Sequence, residues 1–246
     1  MNSLGSVSPE RRHWRRTLRA GLFWTALGLG AATISYACDA DLAARSLGFD
    51  RTASILFFAL VPIPSLALGV RGLALALRLR DAARLAEGVR SYLATHLPAG
   101  FVVVPHYRPL DGGDDEIPLL VIGPAGVTVV QPRADEGVIR CSEDHWYRER
   151  AYGVGRRLPG ASVSQLARRN ASRVRRDLAT GGFARTRVEP LVLFTAARLG
   201  DVSSSTVPAV AGLEEAVAHL ARISSSESHS DRTRAVASAL GGLAVA

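Results

Sequence analysis

Five acids sit at the two ends of one predicted β-hairpin: Asp114, Asp115 and Glu116 before it, Asp135 and Glu136 after it. Carboxylates gathered in this way could hold Mg²⁺ or Mn²⁺ against a phosphate and help activate a water. The hairpin reads "EIPLLVIGPAGVTVVQPR", residues 116–133. Its two aliphatic, β-branched runs, 119–122 and 127–130, flank a Gly123-Pro124-Ala125-Gly126 turn. Side chains two apart on a strand share a face, so Glu116 lies about 7 Å from Pro118 on one side of the first strand. Acids at strand ends also serve as plain solvated turn residues.

Other chemistries are excluded by what the chain lacks. All 30 basic residues are arginine and none is lysine. A phosphate-cradling Walker loop needs its lysine, and Schiff-base catalysis needs an amine that deprotonates; arginine supplies neither. The six histidines form no HxH or HxxxH pair, and the two cysteines, Cys38 and Cys141, have no CxxC partner. The serine-rich stretches contain no GxSxG elbow.

A second charged feature is "RRNASRVRR" at 168–176. Arg168, Arg169, Arg173, Arg175 and Arg176 on one helix could meet nucleic-acid phosphates or anionic lipid headgroups. The bland alternative is a solvated helix face. No aromatic residue interleaves the arginines, which argues against a platform for stacking bases.

Two long apolar runs precede all of this. Residues 20–38, "AGLFWTALGLGAATISYAC", and 53–70, "ASILFFALVPIPSLALGV", carry no charge. Each approaches the roughly 20 residues that a helix needs to cross a bilayer core. Pro62 and Pro64 would break a soluble helix but are tolerated in a membrane bundle. Five arginines precede the first run and Arg71, Arg78 and Arg80 follow the second, so the positive-inside rule places both ends in the cytoplasm. Residues 1–80 hold ten arginines against four acids, whereas 81–246 hold twenty against eighteen. The net charge of +8 is thus mainly an orientation signal. The alternatives are a pair of buried core helices and a cleaved leader ending near "SYAC".

The remainder alternates helix and strand. A helix continues from the second apolar run to residue 97, with Leu85, Val89, Tyr92, Leu93 and Leu97 on one face. "FVVVP" (101–105), the hairpin, "GVIR" (137–140) and "HWYRER" (145–150) read as strands. A helix follows over 162–179, with Leu166, Ala171, Val174 and Leu178 as its buried stripe. "VEPLVLFT" (188–195) reads as a strand and "LEEAVAHLARI" (213–223) as a helix. The expected organisation is a basic N-terminus (1–19), two membrane helices (20–78), an α/β domain around one mixed sheet (79–223), and a flexible linker with a weak terminal helix (224–246).

Over about 81–223 the chain resembles the NERD (nuclease-related) domain of the PD-(D/E)XK nuclease superfamily. The matching stretches are "LAEGVRSYLATHLPAGFVVV", "EIPLLVIGPAGVTVVQPR", "GVIR", Trp146, Gln165 at the head of the basic helix, and "VEPLVLFT". Membrane segments before the domain also occur in that family. The resemblance implies a restriction-endonuclease-like fold, with an Asp and a Glu holding a cation and a Lys positioning water. Those positions fall on Pro118, Gln131 and Arg133; the family's first-helix glutamate falls on Glu87. Proline has no ligand atom, glutamine offers one neutral oxygen, and arginine handles protons poorly. The expectation is therefore a membrane-anchored, nuclease-inactive module with no catalytic residue and no cofactor, acting in binding or scaffolding. The alternative is a metal-dependent nuclease whose site has migrated to Glu116, Asp135 and Glu136.

Overall fold

The computed structural model describes residues 9–37, 62–111, 116–150, 155–224 and 230–243. It divides into two compact units, residues 1–82 and 83–246.

The first unit contains helix α1 (Pro9–Ala37) and the first part of helix α2 (Pro62–His96). α2 starts at Pro62, so Pro62 and Pro64 fall in its first turn, where a backbone N–H has no intrahelical partner to lose. Residues 53–61 of the second apolar run lie outside the described residues. Small side chains let the two helices approach closely. A Cβ on Gly69 would stand 2.3 Å from the Thr25 hydroxyl and 2.7 Å from its backbone nitrogen, and one on Gly72 would stand 3.0 Å from Gly21 Cα. The unit's outer surface is apolar: Leu22, Phe23, Leu27, Leu29, Ile63, Leu68, Val70, Leu75 and Leu77 are all exposed. Among the described residues, α2 is long and apolar enough to cross a membrane.

The second unit is an α/β layer structure on one mixed, seven-stranded sheet. Its strands are β1 (Val102–Tyr107), β2 (Ile117–Gly123), β3 (Gly126–Ser142), β4 (His145–Arg148), β5 (Arg156–Arg157), β6 (Val188–Leu199) and β7 (Ala209–Ala211). Its further helices are α3 (Val163–Thr180), α4 (Leu213–Ser224) and α5 (Ser230–Leu243). Antiparallel pairing runs from β1 through β2, β3 and β4 to β5, while β6 lies parallel to β3 and β7 parallel to β6. β3 is the spine. β2 pairs with its start and β4 with its end, and β6 pairs with it from Val127 to Ile139.

Period-two alternation sends successive side chains to opposite layers. Leu120, Ile122, Val127 and Val129 pack against Ala171, Val174 and Leu178 of α3 and Val236 and Leu240 of α5. Leu119, Val121, Val130, Leu191 and Leu193 pack against Val89 and Leu93 of α2 and Ala216 and Leu220 of α4. Ile139, Trp146, Val192 and Phe194 extend the α3 layer onto Val163 and Ala167.

Three expectations need correction. "GVIR" is the continuation of β3 past an irregularity between Arg133 and Glu136, not a separate strand. Leu166 is exposed and Ala167 takes its place in the buried stripe, because the α3 stripe runs through 163, 167, 171, 174 and 178. The terminal helix is no loose tail, since Val236 and Leu240 are buried in the core.

Candidate functional site

The hairpin register places the three positions that the resemblance singled out. Leu119 pairs with Val130, so one step further along brings Pro118 and Gln131 alongside each other. Gln131 is the next odd-numbered residue after Val127 and Val129, so it points into the α3 layer. It is buried, and its Oε1 accepts a hydrogen bond from Asn170 Nδ2 of α3 at 3.4 Å. Arg133 turns to its own strand: Nε donates to Asp135 Oδ2 at 2.8 Å. Arg148 Nη2 stands 3.8 Å from the other oxygen of the same carboxylate. Thr195 Oγ1 of β6 donates to the Arg133 carbonyl at 3.2 Å.

The displaced acids do not converge. Glu116 faces Arg108 at 3.5 Å, Asp135 is taken by Arg133 and Arg148, and Glu136 is exposed on the irregular stretch of β3. Asp114 and Asp115 lie outside the described residues. Among the described residues no group of three or more His, Cys, Asp or Glu could hold a metal ion. The donor set does not fit Mg²⁺, which favours charged oxygens. Pro118 has none, and the neutral Gln131 oxygen is bonded to Asn170. Glu87, on α2, pairs with Arg90 one turn on, at 2.6 Å.

Beside Gln131 lies a polar band in which sequence reasoning passed over Asn170 and Asp177 and set Arg173 with arginines offered to anionic surfaces. Asn170, Arg173 and Asp177 are all buried on the sheet-facing side of α3. Arg173 holds Asp111 with both arms, Nε to Oδ2 at 2.7 Å and Nη2 to Oδ1 at 2.6 Å. The Tyr107 hydroxyl donates to Asp177 Oδ2 at 2.9 Å, and the backbone N–H of Leu110 donates to the same oxygen at 3.2 Å. The signal was present: Asn170, Arg173 and Asp177 recur at helical spacing next to the apolar stripe of Ala171, Val174 and Leu178.

Burial, reinforced by the Asp177 carboxylate, pushes the Tyr107 phenol well above its ordinary pKa. Folding therefore favours the protonated phenol. That contribution is complete below the unfolded value of about 10 and is lost as pH rises above it. Stability of the chain should fall above about pH 10, and Tyr107→Phe should flatten this slope in urea melts at stepped alkaline pH. An identical slope in both proteins would contradict the placement of Tyr107.

The five arginines of 168–176 do not act as one face. Arg173 is buried on Asp111, as described. Arg168 reaches Asp144 Oδ2 at 2.8 Å and also meets Thr206, while Arg175 donates to the Val188 carbonyl at 2.9 Å. Arg169 and Arg176, two turns apart, are exposed to solvent. Asp144 sits with Glu143 in the β3–β4 turn, both with positive φ (60° and 49°), the backbone pattern of a tight hairpin turn. Burial opposes its ionisation, but bonds from Ser164 and Thr206 and the charge of Arg168 outweigh that and lower its pKa. Arg168 is thus part of a turn-to-helix tie. Cys141 is a buried free thiol, and Cys38 lies outside the described residues.

Comparison with family models, curated proteins and solved structures finds no match to this chain.

Proposed function

We propose that the chain is a membrane-anchored, NERD-like module whose nuclease site has been dismantled, and that it works by binding or scaffolding at the cytoplasmic membrane face. One observation carries this reading: Gln131, at the place of the family's metal-binding glutamate, is buried and bonded to Asn170. Its neutral amide fills, with a structural hydrogen bond, the spot where a nuclease needs negative charge. The neighbouring Arg133 would repel a cation and is held by Asp135. Purified full-length chain should leave DNA and RNA intact in Mg²⁺ or Mn²⁺.

The anchor is a pair of spanning helices, α1 and α2, in contact through Gly21, Thr25, Gly69 and Gly72. Close approach over small residues is a common way for helices to associate in lipid, where apolar burial gives no drive. The exposed leucines and phenylalanine of this unit would face acyl chains. Arginine placement puts both termini and the sheet unit on the cytoplasmic side. Arg168, Arg169, Arg175 and Arg176 are exposed and are the candidates for contact with anionic lipid or nucleic acid, whereas Arg173 is buried. Reporter fusions at residue 45 and at residue 100 should report opposite sides of the membrane; signals on one side would overturn the two-span arrangement.

A further inference from the structure

A pocket of about 230 Å³ adjoins the β2–β3 turn, at the opposite end of the hairpin from Gln131. Ile122 and Val236 give it an apolar wall, and the backbone of the Gly123–Gly126 turn forms one rim. Arg185, Thr186 and Arg187, from the segment leading into β6, and Thr233 of α5 complete it. Among the described residues no acidic side chain lines it. The Arg187 guanidinium has Glu189 as a partner at 2.5 Å, but Glu189 lies outside the pocket and Arg187 stays largely exposed. Its backbone is fixed by the bond from Val127 N–H to the Arg187 carbonyl, 2.9 Å. Thr186 is buried at 7 % exposure, and its hydroxyl has no hydrogen-bond partner among the described residues. Buried polar groups normally have one, so an orphan at a pocket wall points to an absent acceptor or donor.

Two guanidinium groups flanking hydroxyls suit an oxyanion, and guanidinium pairs with phosphate through two parallel bonds. The apolar wall adds room for a short organic group. The volume lies below the roughly 300–1,000 Å³ of pockets for drug-sized ligands, so the occupant is small. We propose that this pocket binds a small phosphate monoester, with its phosphate on Arg185 and Arg187 and its organic part against Ile122 and Val236. This goes beyond the anchoring function and uses none of the family's site positions. Such a group could come from a soluble metabolite or from a lipid headgroup carrying a terminal phosphate.

The test uses full-length chain in neutral detergent micelles, with phenyl phosphate as the probe, followed by thermal melting and calorimetric titration. Phenyl phosphate should raise Tm saturably. Arg185→Gln with Arg187→Gln should weaken binding at least about tenfold, the loss expected for removing charge-assisted bonds. Arg150→Gln with Arg198→Gln removes equal charge away from the pocket and should leave binding within about twofold, as surface charges far from a ligand are largely screened. Thr186→Val keeps the side-chain shape, so it should hold or raise the ligand-free Tm while weakening phenyl phosphate. Phosphatidic acid in the micelles competes if the natural group is a lipid headgroup and leaves binding unchanged if it is soluble; either outcome fits the proposal. No saturable shift, or an equal loss in the control pair, or full binding in both pocket variants, overturns it.

Discussion

Gly126→Val should abolish the cooperative thermal transition of the sheet unit or lower its Tm by well over ten degrees. Gly126 opens β3 at φ 134°, a region that β-branched residues avoid. A Cβ there would also stand 2.3 Å from the Arg187 carbonyl oxygen. The strand cannot yield, because that same oxygen accepts the Val127 N–H and starts the β3–β6 pairing. Strain of about 1–3 kcal/mol from the backbone adds to a clash that must displace one of two paired central strands. The total of about 4 kcal/mol or more belongs to the rare, severe class of substitutions. Circular dichroism melts of wild type and variant decide it, and a Tm within two degrees of wild type would contradict the turn geometry.

Asp111→Ala should cost about 3 kcal/mol. Its carboxylate takes both arms of Arg173, whose side chain is only 6 % exposed, whereas Asp111 is 28 % exposed. Removing the acid leaves a guanidinium deep in the α3–sheet layer, and breaking a buried pair from one side typically costs 3–5 kcal/mol. The partial exposure of Asp111 sets the lower end. Adding Arg173→Met removes the stranded charge and keeps a long side chain against the sheet, so the double variant should recover most of the loss. Urea denaturation of the three proteins separates these cases. A single variant within about 0.5 kcal/mol of wild type, in the range of ordinary surface changes, would show that Arg173 rehydrates freely.

The elements with a clean period were legible in the chain. The hairpin, α3, β6 and α4 announce themselves by alternation or by a 3.6-residue stripe, and each lies within a few residues of its reading. What escaped was context. "ADEG" at 134–137 has the composition of a turn, yet parallel pairing to β6 carries β3 through it with one irregularity. α5 is alanine-rich and follows a serine-rich linker, so its periodicity is weak; only the groove beside α3 and β2 shows why Val236 and Leu240 are buried. At the candidate site, the resemblance could single out Pro118, Gln131 and Arg133 but not what these side chains bond to. Asn170 stands 39 residues from Gln131 and Asp111 stands 62 from Arg173, and such pairs exist only after the sheet closes. The arginine run misled in the same way: charge density on a helix does not reveal that one arginine faces inward.

The central proposal is that the hairpin keeps the architecture of a nuclease site without its chemistry. It is tested most directly by incubating purified full-length chain with single- and double-stranded DNA and RNA in Mg²⁺ or Mn²⁺. The assay runs beside a Glu116→Ala, Asp135→Ala, Glu136→Ala triple variant. The account predicts no metal-dependent cleavage by either protein, since Gln131 is bonded to Asn170, Asp135 to Arg133, and Glu116 lies against Arg108. Metal-dependent cleavage by the wild type that the triple variant loses would show a working site rebuilt from the displaced acids, and would contradict it.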